Sequence, residues 1–190
     1  MLRRSLLCCA VLIAAPAFAA DEADALVAQS RTAVQSFGGQ LKTALSEAIA
    51  AGGPVNGIAV CNEKAPGIAA QASAASGLDV ARTSLKVRNP GNEPDAWERS
   101  MLEQFDARKA AGEPADTLEA HAIVEEDGVR TFRYMKAIPT AQLCLNCHGA
   151  DLKPEVAAKI DALYPQDRAR GYAAGDLRGA FTVRKVLAEN

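Results

Sequence analysis

Cys144-Leu145-Asn146-Cys147-His148 is the segment that most limits what this chain of 190 residues can become. Two cysteines separated by two residues and followed at once by histidine form the attachment signature of c-type haem. The spacing suits the chemistry. Two thiols one turn of chain apart add to the two haem vinyl groups, and the next imidazole then lies under the iron. A group of that size becomes part of the core of a small domain, so the fold has to be built around it. C-x-x-C alone would also serve a thioredoxin-like dithiol or half a zinc site. Neither finds its partners here: there is no second C-x-x-C and no H-x-x-x-H, and Gly149 stands where a thioredoxin motif would open a long helix. The expected cofactor is one covalently attached haem c, held by Cys144 and Cys147 with His148 as an axial ligand.

The N-terminus agrees with that chemistry. Arg3 and Arg4 form a charged opening, Ser5 to Ala15 an apolar run, and Ala17-Phe18-Ala19 a small-x-small cleavage site. The apolar run is too short to span a bilayer well. Cys8 and Cys9 lie inside it without the small residue that a lipoprotein signal places before its cysteine, so both are expected to leave with the signal. The expected organisation is a cleaved signal peptide, 1–19, and a single haem domain, 20–190, located in a bacterial periplasm. Removing Arg3 and Arg4 leaves 19 basic residues against 23 acidic, a net charge of −4. That balance offers no footprint for nucleic acid, and no segment after residue 19 reads as apolar enough to span a membrane.

Leu26, Val34, Phe37, Leu41, Leu45 and Ile49 recur at helical spacing and predict a long N-terminal helix, kinked at Gly38-Gly39 and ended by Gly52-Gly53. This helix is also the candidate surface for a homodimer. Gly57 to Val60 reads as a short buried strand running into Cys61, after which Asn62 caps a helix stopped by Gly77. Val80 to Val87 predicts a strand. Asp95 with Glu98 forms an acidic capping box for a helix carrying Trp97, Met101 and Phe105. Leu118 to Glu125 and Arg130 to Ile138 flank Asp127-Gly128, a strong hairpin signal. Pro154 suits the first turn of a short helix that Pro165 stops, and Leu177 to Leu187 closes the chain as a strand. The pattern predicts an α+β domain with helices packed on one face of an antiparallel sheet of about five strands.

With Cys144 and Cys147 consumed, Cys61 is the one cysteine left in the mature chain. It is either a small buried residue or the sixth ligand to the iron. Its competitors are His121, Met101 and Met135. Met101 follows the apolar face of its helix, His121 sits mid-strand between two alanines, and Met135 stands in a strand just before the motif. The residues alone leave the sixth ligand open.

Several separated motifs resemble one family: Ala59-Val60-Cys61 with Ala65-Pro66, Arg82-Thr83-Ser84, Arg88-Asn89-Pro90 with Asn92, Pro94-Asp95, Trp97-Glu98, Arg133-Tyr134, and Cys144-Leu145-x-Cys147-His148-Gly149. The chain is similar to bacterial and cyanobacterial single c-type haem domains of unknown function, over most of its length after residue 19. The resemblance implies a PAS-like fold. It also implies iron held by the histidine of the motif and by a distant cysteine, which here are His148 and Cys61. Buried propionates need cations, and Arg82, Lys86, Arg88 and Arg133 lie in or beside these motifs. Arg88, in a Pro/Gly/Asn loop, is the preferred one; Tyr134 either stacks in the core or meets a propionate. Trp97 is expected to anchor the core.

The family also serves as the extracytoplasmic input module of membrane-bound signalling proteins. No transmitter is expected after Asn190, so a signal is expected to leave through a partner protein or as an electron. Two functions follow: a redox or diatomic-gas sensor, or a small low-potential electron-transfer cytochrome. A peroxidase-like enzyme would need a distal acid/base, for which His121 is the sole candidate, and is not expected. Because both thioethers come from the motif, haem should remain with the chain through acid-acetone extraction and denaturing electrophoresis. Replacing both Cys144 and Cys147 by Ala should yield a haem-free chain by the same assay.

Overall fold

The computed structural model describes residues 17–188. Cys8, Cys9 and all but the end of the expected signal segment lie outside them. Helix α1 covers Ala17–Glu63 in two arms, because Gly52 (φ −158°) and Gly53 (φ +71°) are not helical. Gly53 adopts a left-handed conformation that only glycine takes without strain, and Pro54 opens the second arm. Three expectations change here. Gly38-Gly39 does not kink the helix; a Cβ at Gly38 would meet the Phe181 ring at 2.9 Å, so this glycine serves close packing. Gly57–Val60 is helical, not a strand, and Cys61 and Asn62 lie in that same second arm. The next helix, α2 (Ala65–Ser76), therefore starts without a side-chain cap, and Gly77 ends it as expected. By length and composition, Glu22–Glu63 is apolar enough to cross a membrane, where no such segment was expected; the break at Gly52–Gly53 divides it.

Four strands form one antiparallel sheet: β1 (Asp79–Thr83), β2 (Glu119–Glu126), β3 (Val129–Pro139) and β4 (Leu177–Val186). Their order is β1-β4-β3-β2, so the count is four among the described residues and not five. The stretch 84–87, expected to continue β1, leaves the ladder after Thr83. The β2–β3 hairpin turns at Asp127-Gly128, both with positive φ, as the dipeptide dictates.

Helices cover both faces of the sheet and not one. On one face Phe37 and Val34 of α1 and Ala72 of α2 pack on Val80, Phe132, Tyr134 and Val183. On the other, Leu102 and Phe105 of α3 (Ala96–Ala110) pack on Met135, Ala137 and Ala180. A third cluster joins Ile58 in the second arm of α1 to Val156, Ile160 and Tyr164 at α5 (Pro154–Leu163).

The family-like residues of α3 form one network. Asp95 and Glu98 make the reciprocal capping box. Arg133 donates to Asp95 at 2.6 Å, lies 3.2 Å from Glu98 and stacks 4.7 Å over Trp97, while Thr182 donates to Glu98 at 2.7 Å. Arg133 is only 2% exposed, and those carboxylates compensate its buried charge. Arg133→Ala should cost roughly 3 kcal/mol, because Glu98 loses its counter-charge in a dry setting. Urea denaturation of the variant against the parent chain measures that loss.

Candidate haem site

The haem motif occupies a turn over Gln142–Cys144 and a single helical turn, α4 (Leu145–His148), neither with a side-chain cap. So short a helix does not hold its own shape. Arg88, in the loop after β1, holds it from outside. Its Nη2 donates to the Cys147 carbonyl at 2.6 Å and to the Ala169 carbonyl at 3.2 Å, while its Nε donates to Asp167 at 2.9 Å. Asp167 is 1% exposed at its side chain and also accepts from Arg170 at 2.7 Å and from the Ala169 N–H at 3.0 Å. Burial pushes the Asp167 carboxyl up, but these donors outweigh it and hold the acid below its ordinary range. The strap 167–172 is further laced to the motif by Tyr172 N–H to the His148 carbonyl, 3.0 Å, and Gly171 N–H to the Gly149 carbonyl, 3.1 Å.

The imidazole is oriented by the same strap. His148 Nδ1 lies 2.7 Å from the Ala169 carbonyl. A carbonyl only accepts, so Nδ1 carries the proton and Nε2 keeps its lone pair. That is the second-shell arrangement of a metal-ligating histidine. Arg178 Nε approaches both ring nitrogens, at 3.2 and 3.5 Å; with Nδ1 already a donor, the guanidinium lies against the ring edge without a strong hydrogen bond. The Tyr172 ring meets the imidazole edge-on, 6.3 Å between centroids. Burial, then the charges of Arg178 and Arg88, push the His148 pKa down to about 2, which keeps the ring neutral, the form able to ligate a metal.

Cys61 lies one helical turn beyond Ile58, whose cluster includes Cys147. Burial pushes the Cys61 thiol up, and Arg82 and Arg88 pull it down. The Cys147 thiol is likewise raised by burial and senses Arg88, Cys61 and Cys144. All three cysteines are half-buried and free of disulfides. The fold thus brings Cys61 beside the motif. It disperses the other candidates: Met135 is fully buried at the α3 face, Met101 is partly buried beside it, and His121 is exposed on the edge strand, stacked on Phe132.

Two expected haem contacts change. Arg88 is committed to the motif backbone and Asp167, so it braces the attachment segment and is not a free cation. Tyr134 lies in the core beneath α1, where its hydroxyl donates to Glu119 at 2.8 Å. Arg133 belongs to the α3 network, and the Lys86 ammonium lies 5.2 Å over Tyr172. Arg178 carried no signal in the sequence beyond opening a strand. It donates to Ser84 at 3.1 Å and to the Lys86 carbonyl at 3.4 Å.

Two thiols at C-x-x-C spacing, an imidazole whose Nε2 keeps its lone pair, a further thiol nearby and partly buried positive charge form a donor set that fits haem c. Cys144 and Cys147 would hold the ring covalently, and His148 the iron.

Together the sheet, the long helix and this donor set describe an α+β haem-protein domain. The comparisons identify which kind: the Tll0287-like family model matches residues 14–185, and the chain belongs to that family. The crystal structure of the cyanobacterial haem-protein Tll0287 is similar at 26% identity, covering 90% of this chain and 98% of that one with a TM-score of 0.61. No curated protein matches the chain.

Arg88→Ala should lower stability by roughly 3 kcal/mol, since buried Asp167 keeps only part of its counter-charge. Asp167's depressed pKa adds stability above the ordinary value of 3.8, which is lost as pH falls below it. Urea denaturation of Asp167→Asn should lack that acid-dependent increment.

Proposed function

We propose that the chain is an exported mono-haem c-type cytochrome, with His148 and Cys61 as axial ligands, that acts as a redox or diatomic-gas sensor. The observation that supports it best is the shared setting of Cys61 and Cys147, with Met101, Met135 and His121 elsewhere. The haem named for Tll0287 supports the cofactor. The expected export signal supports attachment in a periplasm.

Bound haem would supply a one-electron couple at iron; the chain selects how that couple is used. An anionic sulfur donor favours the ferric state and lowers the potential. Burial holds the Cys61 thiol up, Arg82 and Arg88 offset that only in part, and the positive charge of bound iron would have to favour the anionic form. Sensing requires a donor that can change, and Cys61 is borne on an arm joined to the long helix through Gly52–Gly53. Electron carriage would instead keep the same two donors in both oxidation states. The expected partner is a signalling or redox protein in the same compartment, and no catalytic turnover is assigned.

Cys61→Ser should retain covalent haem, lose the low-spin thiolate spectrum in absorption and EPR, and raise the midpoint potential. Carbon monoxide should bind its ferrous form faster than it binds the parent protein. A variant whose ferric spectrum and potential match the parent would make Cys61 a buried residue only. Failure of carbon monoxide to bind the reduced parent protein would favour the electron carrier.

A further inference from the structure

We infer that Arg82 and Arg178 anchor the two haem propionates, one guanidinium to each carboxylate; the inference rests on the haem c reading above. Both residues are half-buried, and arginine stays charged in proteins. Among the described residues, neither has a carboxylate within 4.0 Å. Arg82 has no side-chain hydrogen bond; its guanidinium stands 5.8 Å over the Phe37 ring. Arg178 meets only neutral groups: Ser84, the Lys86 carbonyl, the His148 ring and, 5.5 Å away, the face of Tyr172.

Every other arginine described at this end of the fold is neutralised. Arg88 and Arg170 share Asp167, Arg170 also reaches Asp161, and Arg168 pairs with Glu93. Two guanidiniums held half-buried without a carboxylate partner are costly. A ligand bringing two carboxylates would relieve both charges at once. Haem brings two, and its fixed points, His148 and Cys61, adjoin Arg178 and Arg82 respectively. Arg88, the cation favoured from sequence, already has a carboxylate partner in Asp167 and donates to the Cys147 carbonyl.

The test uses the haem-loaded protein and the variants Arg82→Gln, Arg178→Gln, Arg82→Lys and Arg178→Lys. Each Gln variant should keep covalent haem, shift a propionate-bending band in the resonance Raman spectrum, and lower the midpoint potential, because a lost cation favours ferric iron. Each Lys variant keeps charge but loses the guanidinium fork, so it should shift the band and leave the potential close to the parent value. Haem-bearing Gln variants with unshifted bands and unchanged potential overturn the assignment. If a Gln variant does not accumulate, unshifted bands in its Lys counterpart overturn it equally. Loss of haem from the denatured parent protein would instead sink the haem c reading itself.

Discussion

A one-turn helix cannot by its own hydrogen bonds hold two cysteine sulfurs and an imidazole in fixed relation, and Arg88 supplies what α4 lacks. One guanidinium joins three segments distant in sequence: the loop after β1, the Cys147 carbonyl, and the strap that carries Asp167 and Ala169. The Ala169 carbonyl that receives Arg88 also receives the His148 Nδ1 proton. The backbone at Cys147 and the His148 imidazole therefore share one brace. Its cost is a buried ion pair, which is tolerable because Asp167 accepts from four donors across Arg88, Arg170 and the Ala169 backbone.

The sheet serves this arrangement through one long-range pairing. β1 lies against β4, so Arg82 stands opposite Phe181, and Phe181 packs edge-on against Phe37 of α1. Ser84, just past β1, receives Arg178 from the start of β4. Without that pairing the two unneutralised guanidiniums would lie on unrelated parts of the surface. The opposite end of the sheet, at β2 and β3, is held by Arg31–Glu119–Tyr134 and by the Arg133 network, both remote in chemistry from the motif.

What could be read from the sequence was local. The Asp127-Gly128 hairpin, the Asp95/Glu98 box and the C-x-x-C-H run each carry their physics within a few residues, and the structure has the first two as expected. Gly57–Val60 failed because a four-residue apolar run with β-branched Ile58 and Val60 fits a strand and a buried helix equally. Pro54 after the Gly53 break, and the packing of Ile58 on α5, decide for helix. Tyr134 was decidable in part: in β3 it shares a face with Phe132, opposite Arg133 and Met135, and Phe132 belongs to the core. Arg178 was not decidable, because its partners come from three other segments.

Moving Cys61 from a strand junction to a helical arm changes what its displacement would involve. Leaving a strand end would break ladder hydrogen bonds. The arm of Pro54 to Glu63 is bounded instead by the non-helical Gly52–Gly53 and by the turn at Lys64, across which the Lys64 N–H still donates to the Val60 carbonyl at 2.8 Å. It is not free. Asn56 donates to the Ala48 carbonyl at 2.9 Å, and a Cβ on Gly57 would stand 3.0 Å from both Leu45 and Ile49. The arm is thus folded back on the end of the long helix at close range. Interiors so tightly packed transmit displacement instead of absorbing it. Under the sensor reading, a change at Cys61 would be felt first along α1, whose first arm lies against the sheet through Val34 and Phe37.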